Sequence, residues 1–309
     1  MAKNIFLQAN VASDIEDQVS RVLKGLGNPE PPLDLRFVRD LLSLDRGYYS
    51  IKDPSLLQDA VSKLKIAGKQ ILRRPTLLID VVKKRNITAL FIPDQKRILL
   101  DKDVPQLKHR WNEAHEIGHS IIEWHAGAMF GDDSYTLLPS CHEKLEAEAN
   151  YAAARLLFMN ERFGVEAIEY APTIASVIKI KPTFGNTYTT TFWRCVEIWG
   201  KEKPVVGLIT KHPHPSRRDE DFDSNNPCKY FIQSDAFKHQ FSTVLETTLF
   251  DEIVEYCSSR KGGPLGSAEV LLMDDNGDGH VFLFETFSFT HNILTLGLYL
   301  GPKKTVIAF

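Results

Sequence analysis

The stretch His115-Glu116-Ile117-Gly118-His119 constrains this chain more than any other. Residues four apart share one face of a helix, so His115 and His119 can point at one ion only if the segment is helical. Glu116 then lies beside the ion and can take a proton from a water. This HExxH spacing is the one a zinc hydrolase requires. Gly118 costs about 1 kcal/mol in a helix interior, so its presence predicts a close neighbour. The bland alternative is a solvated helix face that happens to carry two histidines.

A catalytic zinc takes a third protein ligand. The next strong helix-forming stretch contains Glu146-Ala147-Glu148-Ala149-Asn150. Glu146 and Asn150 share a face, so Glu146 can reach the ion while Asn150 accepts the N–H of a ligating imidazole. Glu148 points about 160° away from Asn150 and is the weaker candidate. His125 stands six residues after His119, as in HExxHxxGxxH sites, but Ile122 occupies the place of the turning glycine. If the helix continues, His125 lies about 80° off the His115 face. It then reads as a partly exposed residue at the helix end. Tyr135, His142 and Tyr151 are the candidates for an oxyanion donor.

Around these motifs the pattern is α+β. An amphipathic stretch, Ile15 to Leu26, precedes the stiff Asn28-Pro29-Glu30-Pro31-Pro32. Residues 33 to about 85 read as helices, including LDLRFVRDLLSL and PSLLQDAVSKLKIAGKQIL. Ile87–Ile92 and Arg97–Leu100 form a strand pair joined by a turn, just ahead of a metal helix that starts near Pro105. Residues 163–199 read as mostly helical, with a break at Pro182–Asn186. A strand at Pro204–Thr210 and a polar loop over 211–227 follow. The remainder alternates strand and helix. The expected domains are an N-terminal extension at 1–32, a metallopeptidase domain at 33–200 and an α+β module at 201–309.

HEIGH followed by EAEANYAAARLLFM resembles the ImmA/IrrE family of zinc metallopeptidases. Tyr151 and Asn160 stand near the places where that family usually has phenylalanine and a terminal proline. Both departures concern packing and helix termination. The likeness covers roughly residues 33–200. It implies a zincin-like, gluzincin-type core with His115, His119 and Glu146 on one Zn²⁺ and Glu116 as base. It also implies a protein substrate, since known members cut a helix-turn-helix repressor and so switch on stress or mobile-element genes. The C-terminal module is similar to the GAF-like sensor domain of some relatives. Two other readings stay open: a non-proteolytic protein that regulates a repressor or toxin by contact, and a small-molecule amidase.

Charge and cysteine usage narrow the partners. A formal net charge of −3 leaves no basic footprint for nucleic acid. The Arg73-Arg74 and Lys83-Lys84-Arg85 patches read as helix solvation. No apolar run approaches a membrane span, and the N-terminus lacks a signal-peptide core. The four scattered cysteines read as reduced thiols in a cytoplasmic protein. Asp274-Asp275-Asn276-Gly277-Asp278-Gly279 with Glu285 fits a calcium-loop pattern, but strand-like flanks favour a hairpin turn. His212 and His214 read as solvated loop residues.

Overall fold

The computed structural model describes residues 7–50, 88–92, 96–125, 139–289 and 292–303. It is a mixed α+β chain with two sheets. The chain divides into two compact units between Arg162 and Phe163. Among the described residues, no helix is long and apolar enough to cross a membrane.

In the first unit, helix α1 (Ala9–Gly25) buries Ile15, Val19, Val22 and Leu23, the single stripe its sequence spacing requires. Helix α2 (Leu35–Leu42) is capped by Asp34, which accepts the Arg36 backbone N–H at 2.9 Å. It stops at Ser43, whose φ of 56° lies in the left-handed region. Three strands follow: β1 (Asp45–Tyr49), β2 (Ala89–Ile92) and β3 (Arg97–Asp101), in the order β1-β3-β2. Strands β2 and β3 form the antiparallel pair that the sequence pattern predicts, with Ala89 opposite Leu100 and Ile92 opposite Arg97. Strand β1 corrects the reading of residues 33 to about 85 as helices, since it lies between the two stretches predicted helical. Its sequence, DRGYY, has no apolar alternation, and it exists because it pairs in parallel with the buried β3. The helix expected over residues 54–72, and the basic pairs near 73 and 84, lie outside the described residues.

Helix α3 (Gln106–Ile121) packs on β2 and β3 with one face and on helix α4 (Pro139–Leu157) with another. Small residues let α3 and α4 approach closely. A Cβ on Gly118 would stand 2.8 Å from the Ala149 carbonyl oxygen and 3.2 Å from the Ala152 Cβ. Ala149, Ala152 and Ala153 are fully buried there. Helix α4 and the turn after it carry α1: Tyr151 donates to Glu16 at 2.6 Å, and Asn160 donates to the Ser20 hydroxyl at 2.7 Å.

The second unit begins with helices α5 (Glu161–Ile168), α6 (Ile174–Phe184) and α7 (Tyr188–Trp199). Its sheet is antiparallel and comprises β4 (Val205–Thr210), β5 (Cys228–Gln233), β6 (Gly263–Met273), β7 (Gly279–Ser288) and β8 (Ile293–Pro302), ordered β5-β4-β8-β7-β6. Alternation along β4 sends neighbours to opposite faces. Gly207 meets Phe192 and Val196 of α7, where a Cβ would stand 2.8 Å from each. Val206 and Leu208 join Phe237, Phe241, Leu249, Phe282 and Phe284 in a core beneath helices α8 (Asp235–Gln240) and α9 (Glu246–Tyr256). Because α7 is seated on this sheet, the compact unit starts well before residue 201.

Between β6 and β7 the Asp-Asn-Gly-Asp stretch is a hairpin turn. Asp274 Oδ1 accepts the N–H groups of Asn276 and Asp278, each at 2.9 Å, and Gly277 takes a φ of 86°. Asp275 instead accepts four hydrogen bonds from Ser242 and Thr243, at 2.8–3.0 Å. Glu285 accepts the Ile174 N–H at 3.0 Å. Strands and not helices flank this turn, as its sequence context predicts.

Candidate metal centre

Helix α3 is held in place by a buried ion-pair group on one side. Glu113 accepts from Arg39 of α2 at 2.6 Å and from Arg46 of β1 at 3.1 Å. Both partners come from elements ahead of it in the chain, so this pair ties α2 and β1 to the helix that carries HEIGH. His109 Nε2 lies 3.0 Å from the Asp101 carbonyl and ties the same helix to β3.

Along α3, His115 and His119 emerge on one face as the four-residue spacing requires. Their Nε2 atoms are 3.2 Å apart. Glu146 of α4 completes the group, with Oε2 at 3.2 Å from His115 Nε2 and Oε1 at 3.6 Å from His119 Nε2. Among the described residues this is the cluster of His, Cys, Asp and Glu side chains that could hold a metal ion, and one ligand atom from each lies within 4.8 Å of the others. A tetrahedral site with bonds near 2.0–2.1 Å has donor–donor edges of about 3.3–3.4 Å, so the three distances fit such an ion. Two imidazole nitrogens and a carboxylate oxygen are also the right chemistry for one.

The electrostatics match that geometry. Burial works against charge on His115, but its hydrogen bonds to Glu146 and the nearby Glu116 outweigh that and raise its pKa above the ordinary imidazole value. Burial works against ionising Glu146 too, yet the adjoining His115 and His119 imidazoles hold its carboxyl well below the usual carboxylate range. The cluster therefore stores a negative charge facing two nitrogens, which favours a cation. On the outer side, His115 Nδ1 lies 3.0 Å from Asn150 Oδ1, so the amide oxygen accepts the ring N–H. This is the partner role that the i,i+4 spacing of Glu146 and Asn150 suggests.

Glu116 lies one residue from His115 and is rotated off the ligand face by about 100°. Its side chain is buried beneath β2 and accepts the Phe91 backbone N–H. Burial raises its pKa above the ordinary carboxylate value, opposed by His115 and His119. A carboxylate whose proton affinity is raised in this way is suited to proton transfer.

One sequence expectation is corrected here. His125 is not a partly exposed helix-end residue: it is fully buried, and its Nδ1 lies 2.9 Å from Nδ1 of His119. The chain leaves helix geometry at Ile122, where ψ is 104°, so extrapolating the helical angle to His125 fails. Glu148 does not join the cluster, and it is buried. Its Oε2 accepts from His125 Nε2 at 2.9 Å and from Trp124 Nε1 at 2.6 Å. Burial holds the His125 pKa below the ordinary imidazole value. Of the oxyanion candidates, Tyr151 is engaged with Glu16 and Arg155. Tyr135 and the His142 side chain lie outside the described residues. His212 Nε2 lies 2.8 Å from the Arg260 carbonyl, and His214 caps a short 3₁₀ turn, so neither adds to the metal cluster.

Residues 65–192 match the sequence profile of Peptidase M78, the IrrE N-terminal-like domain. The match spans both HEIGH and EAEAN. In fold, the chain is similar to the solved structure of a Mycobacterium tuberculosis transcriptional regulator, with a TM-score of 0.51 and 12% sequence identity. That likeness covers 96% of this chain and 93% of the other. No curated protein matches the sequence at a significant level.

Proposed function

We propose that the chain, which carries a metallopeptidase-type domain of the Peptidase M78 family over residues 65–192, is a zinc-dependent endopeptidase acting on a regulatory protein. The observation that carries this reading is the convergence of His115, His119 and Glu146 beside the buried Glu116. These three side chains would hold the zinc ion. A zinc ion there would act as a Lewis acid on a scissile carbonyl and make water more acidic. Glu116 takes a proton from the attacking water and delivers it to the leaving amine. Asn150 keeps the His115 ring in one tautomer throughout.

The substrate class follows from the family resemblance: a helix-turn-helix repressor or a similar regulator, in a cytoplasmic stress, mobile-element or defence response. Direct nucleic-acid binding is not part of this proposal, because the net charge of −3 supplies no electrostatic footprint. The core is proposed to be zincin-like and to lie within residues 33–200, after an N-terminal extension at 1–32. Residues 201–309, with α7 seated on their sheet, are proposed to form a GAF-like sensing or partner-binding module. A role in transcriptional control is in keeping with the structural neighbour, itself a transcriptional regulator.

The test combines metal analysis with cleavage. Purified protein should bind one zinc per chain and should cut a helix-turn-helix protein encoded beside it. A folded protein that binds no zinc under zinc-replete conditions would overturn the proposal.

A further inference from the structure

A second layer of polar groups stands behind one of the two histidines. His119 turns Nε2 toward His115 and Glu146, and it turns Nδ1 toward His125 at 2.9 Å. His125 in turn places Nε2 at 2.9 Å from Glu148 Oε2. Glu148 is 1% exposed and His125 is fully buried. Trp124 donates to the same carboxylate oxygen at 2.6 Å and fixes its position.

Proton bookkeeping determines the rest. The Trp124 N–H donates to the Glu148 carboxylate and Lys144 Nζ stands 3.9 Å from it, so this group is placed to accept and His125 carries its proton on Nε2. In a neutral ring that leaves Nδ1 of His125 as a lone pair. A 2.9 Å contact between two ring nitrogens is a hydrogen bond only if one of them bears hydrogen. The proton of His119 therefore sits on Nδ1, and its Nε2 is bare toward the cluster. His115 is held differently, by the amide oxygen of Asn150. The common arrangement sets a carboxylate or carbonyl directly behind a ligating histidine. Here a histidine is interposed, which brings a buried negative charge to bear on one ligand only.

We infer that His125 and Glu148 form a buried positioning dyad for His119, locking it as the Nδ1–H tautomer so that its Nε2 lone pair is presented to a metal ion. The inference rests on the zinc reading above. Neither residue touches substrate or metal. The variants are His125→Ala, His125→Asn and Glu148→Gln. The readouts are histidine ¹⁵N spectra of the metal-free protein and zinc affinity by competition with a chelator.

In the unsubstituted protein, His119 should report as the Nδ1–H tautomer without metal. His125→Ala should release the tautomer toward Nε2–H and weaken zinc binding by roughly 10–100-fold, as is usual when such outer partners are lost. His125→Asn places an amide oxygen where the Nδ1 lone pair stood, so it should keep the Nδ1–H tautomer and recover most of the affinity. Glu148→Gln retains the shape and removes the charge, so affinity should fall by roughly tenfold. The dyad is overturned if His119 is Nε2–H in the unsubstituted protein, or if both His125→Ala and Glu148→Gln bind zinc as tightly as it does. If His125→Ala does not fold, wild-type affinity in Glu148→Gln overturns it alone. A protein that binds no zinc yet shows the Nδ1–H tautomer would defeat the metal reading and leave the dyad standing.

Discussion

Glu116 and the histidine beside it show how a one-residue offset separates two environments. His115 lies on the face shared with His119, while Glu116 is turned by about 100° and buried against Phe91 of β2. Glu116→Gln keeps the side-chain shape and removes no metal-facing atom. It should leave the fold and zinc content unchanged and lower peptide cleavage by about 10²–10⁴-fold, the usual worth of a general base. Zinc analysis and cleavage of a candidate repressor, measured side by side, check this. A regulator that acts by contact would keep its cellular function with the same substitution. Residue spacing made the grouping of His115, His119 and Glu146 legible in advance. His125 was not legible, because a helical angle cannot be carried past Ile122, where the chain turns extended.

Between elements, the α3–α4 contact sets the width of the cluster, and Gly118 sets the contact. Its added Cβ would meet a backbone oxygen at 2.8 Å and the Ala152 Cβ at 3.2 Å, neither of which is a flexible tip. Gly118→Ala gains about 1 kcal/mol in helix propensity but incurs an overpacking cost of about 1–3 kcal/mol. The balance should be a loss of up to about 2 kcal/mol in stability, together with weaker zinc binding as Glu146 is pushed from the histidines. Denaturant melts of the metal-free protein measure the first; a variant more stable than the parent would refute the packing account. In the second sheet the β6–β7 turn is fastened through Asp275, whose pKa is lowered to about 2 by hydrogen bonds from Thr243 and Ser242. Its ordinary value is about 3.9. Such a depressed carboxylate contributes its full stability above pH of about 4 and loses it as the pH falls toward 2. Asp275→Asn should therefore destabilise the protein at neutral pH and flatten the acid limb between pH of about 4 and 2, as read by melts across that range. An unchanged acid limb would mean that these hydrogen bonds do not persist in solution.

At the scale of the whole molecule, the family match and the packing divide the chain differently. The profile runs to residue 192, inside α7, whereas the compact units part after Arg162. The difference arises because Phe192 and Val196 of α7 lie on β4, against Gly207. A chain ending at Gly200 strips that cover and exposes Phe192, Cys195 and Val196, all buried in the intact protein. It should aggregate, whereas a chain ending at Arg162 removes α7 and its sheet together and keeps His115, His119 and Glu146. Light scattering and zinc content of the two truncations test this. A monodisperse, folded chain ending at Gly200 would show that α7 does not depend on the sheet.

Local periodicity by itself determined the helix that carries HEIGH, the β2–β3 pair, the α4 partner with Glu146 and Asn150, and the hairpin at Asp274–Asp278. Each depends on interactions within a few residues, which a sequence states directly. Strand β1, the Glu113 anchor with Arg39 and Arg46, and the buried relay from Glu148 through His125 to His119 were decided only by the tertiary structure. They join residues far apart in the chain, and their meaning comes from burial: a carboxylate and a histidine on paper become a fixed proton arrangement only when packing removes the water that would otherwise satisfy them.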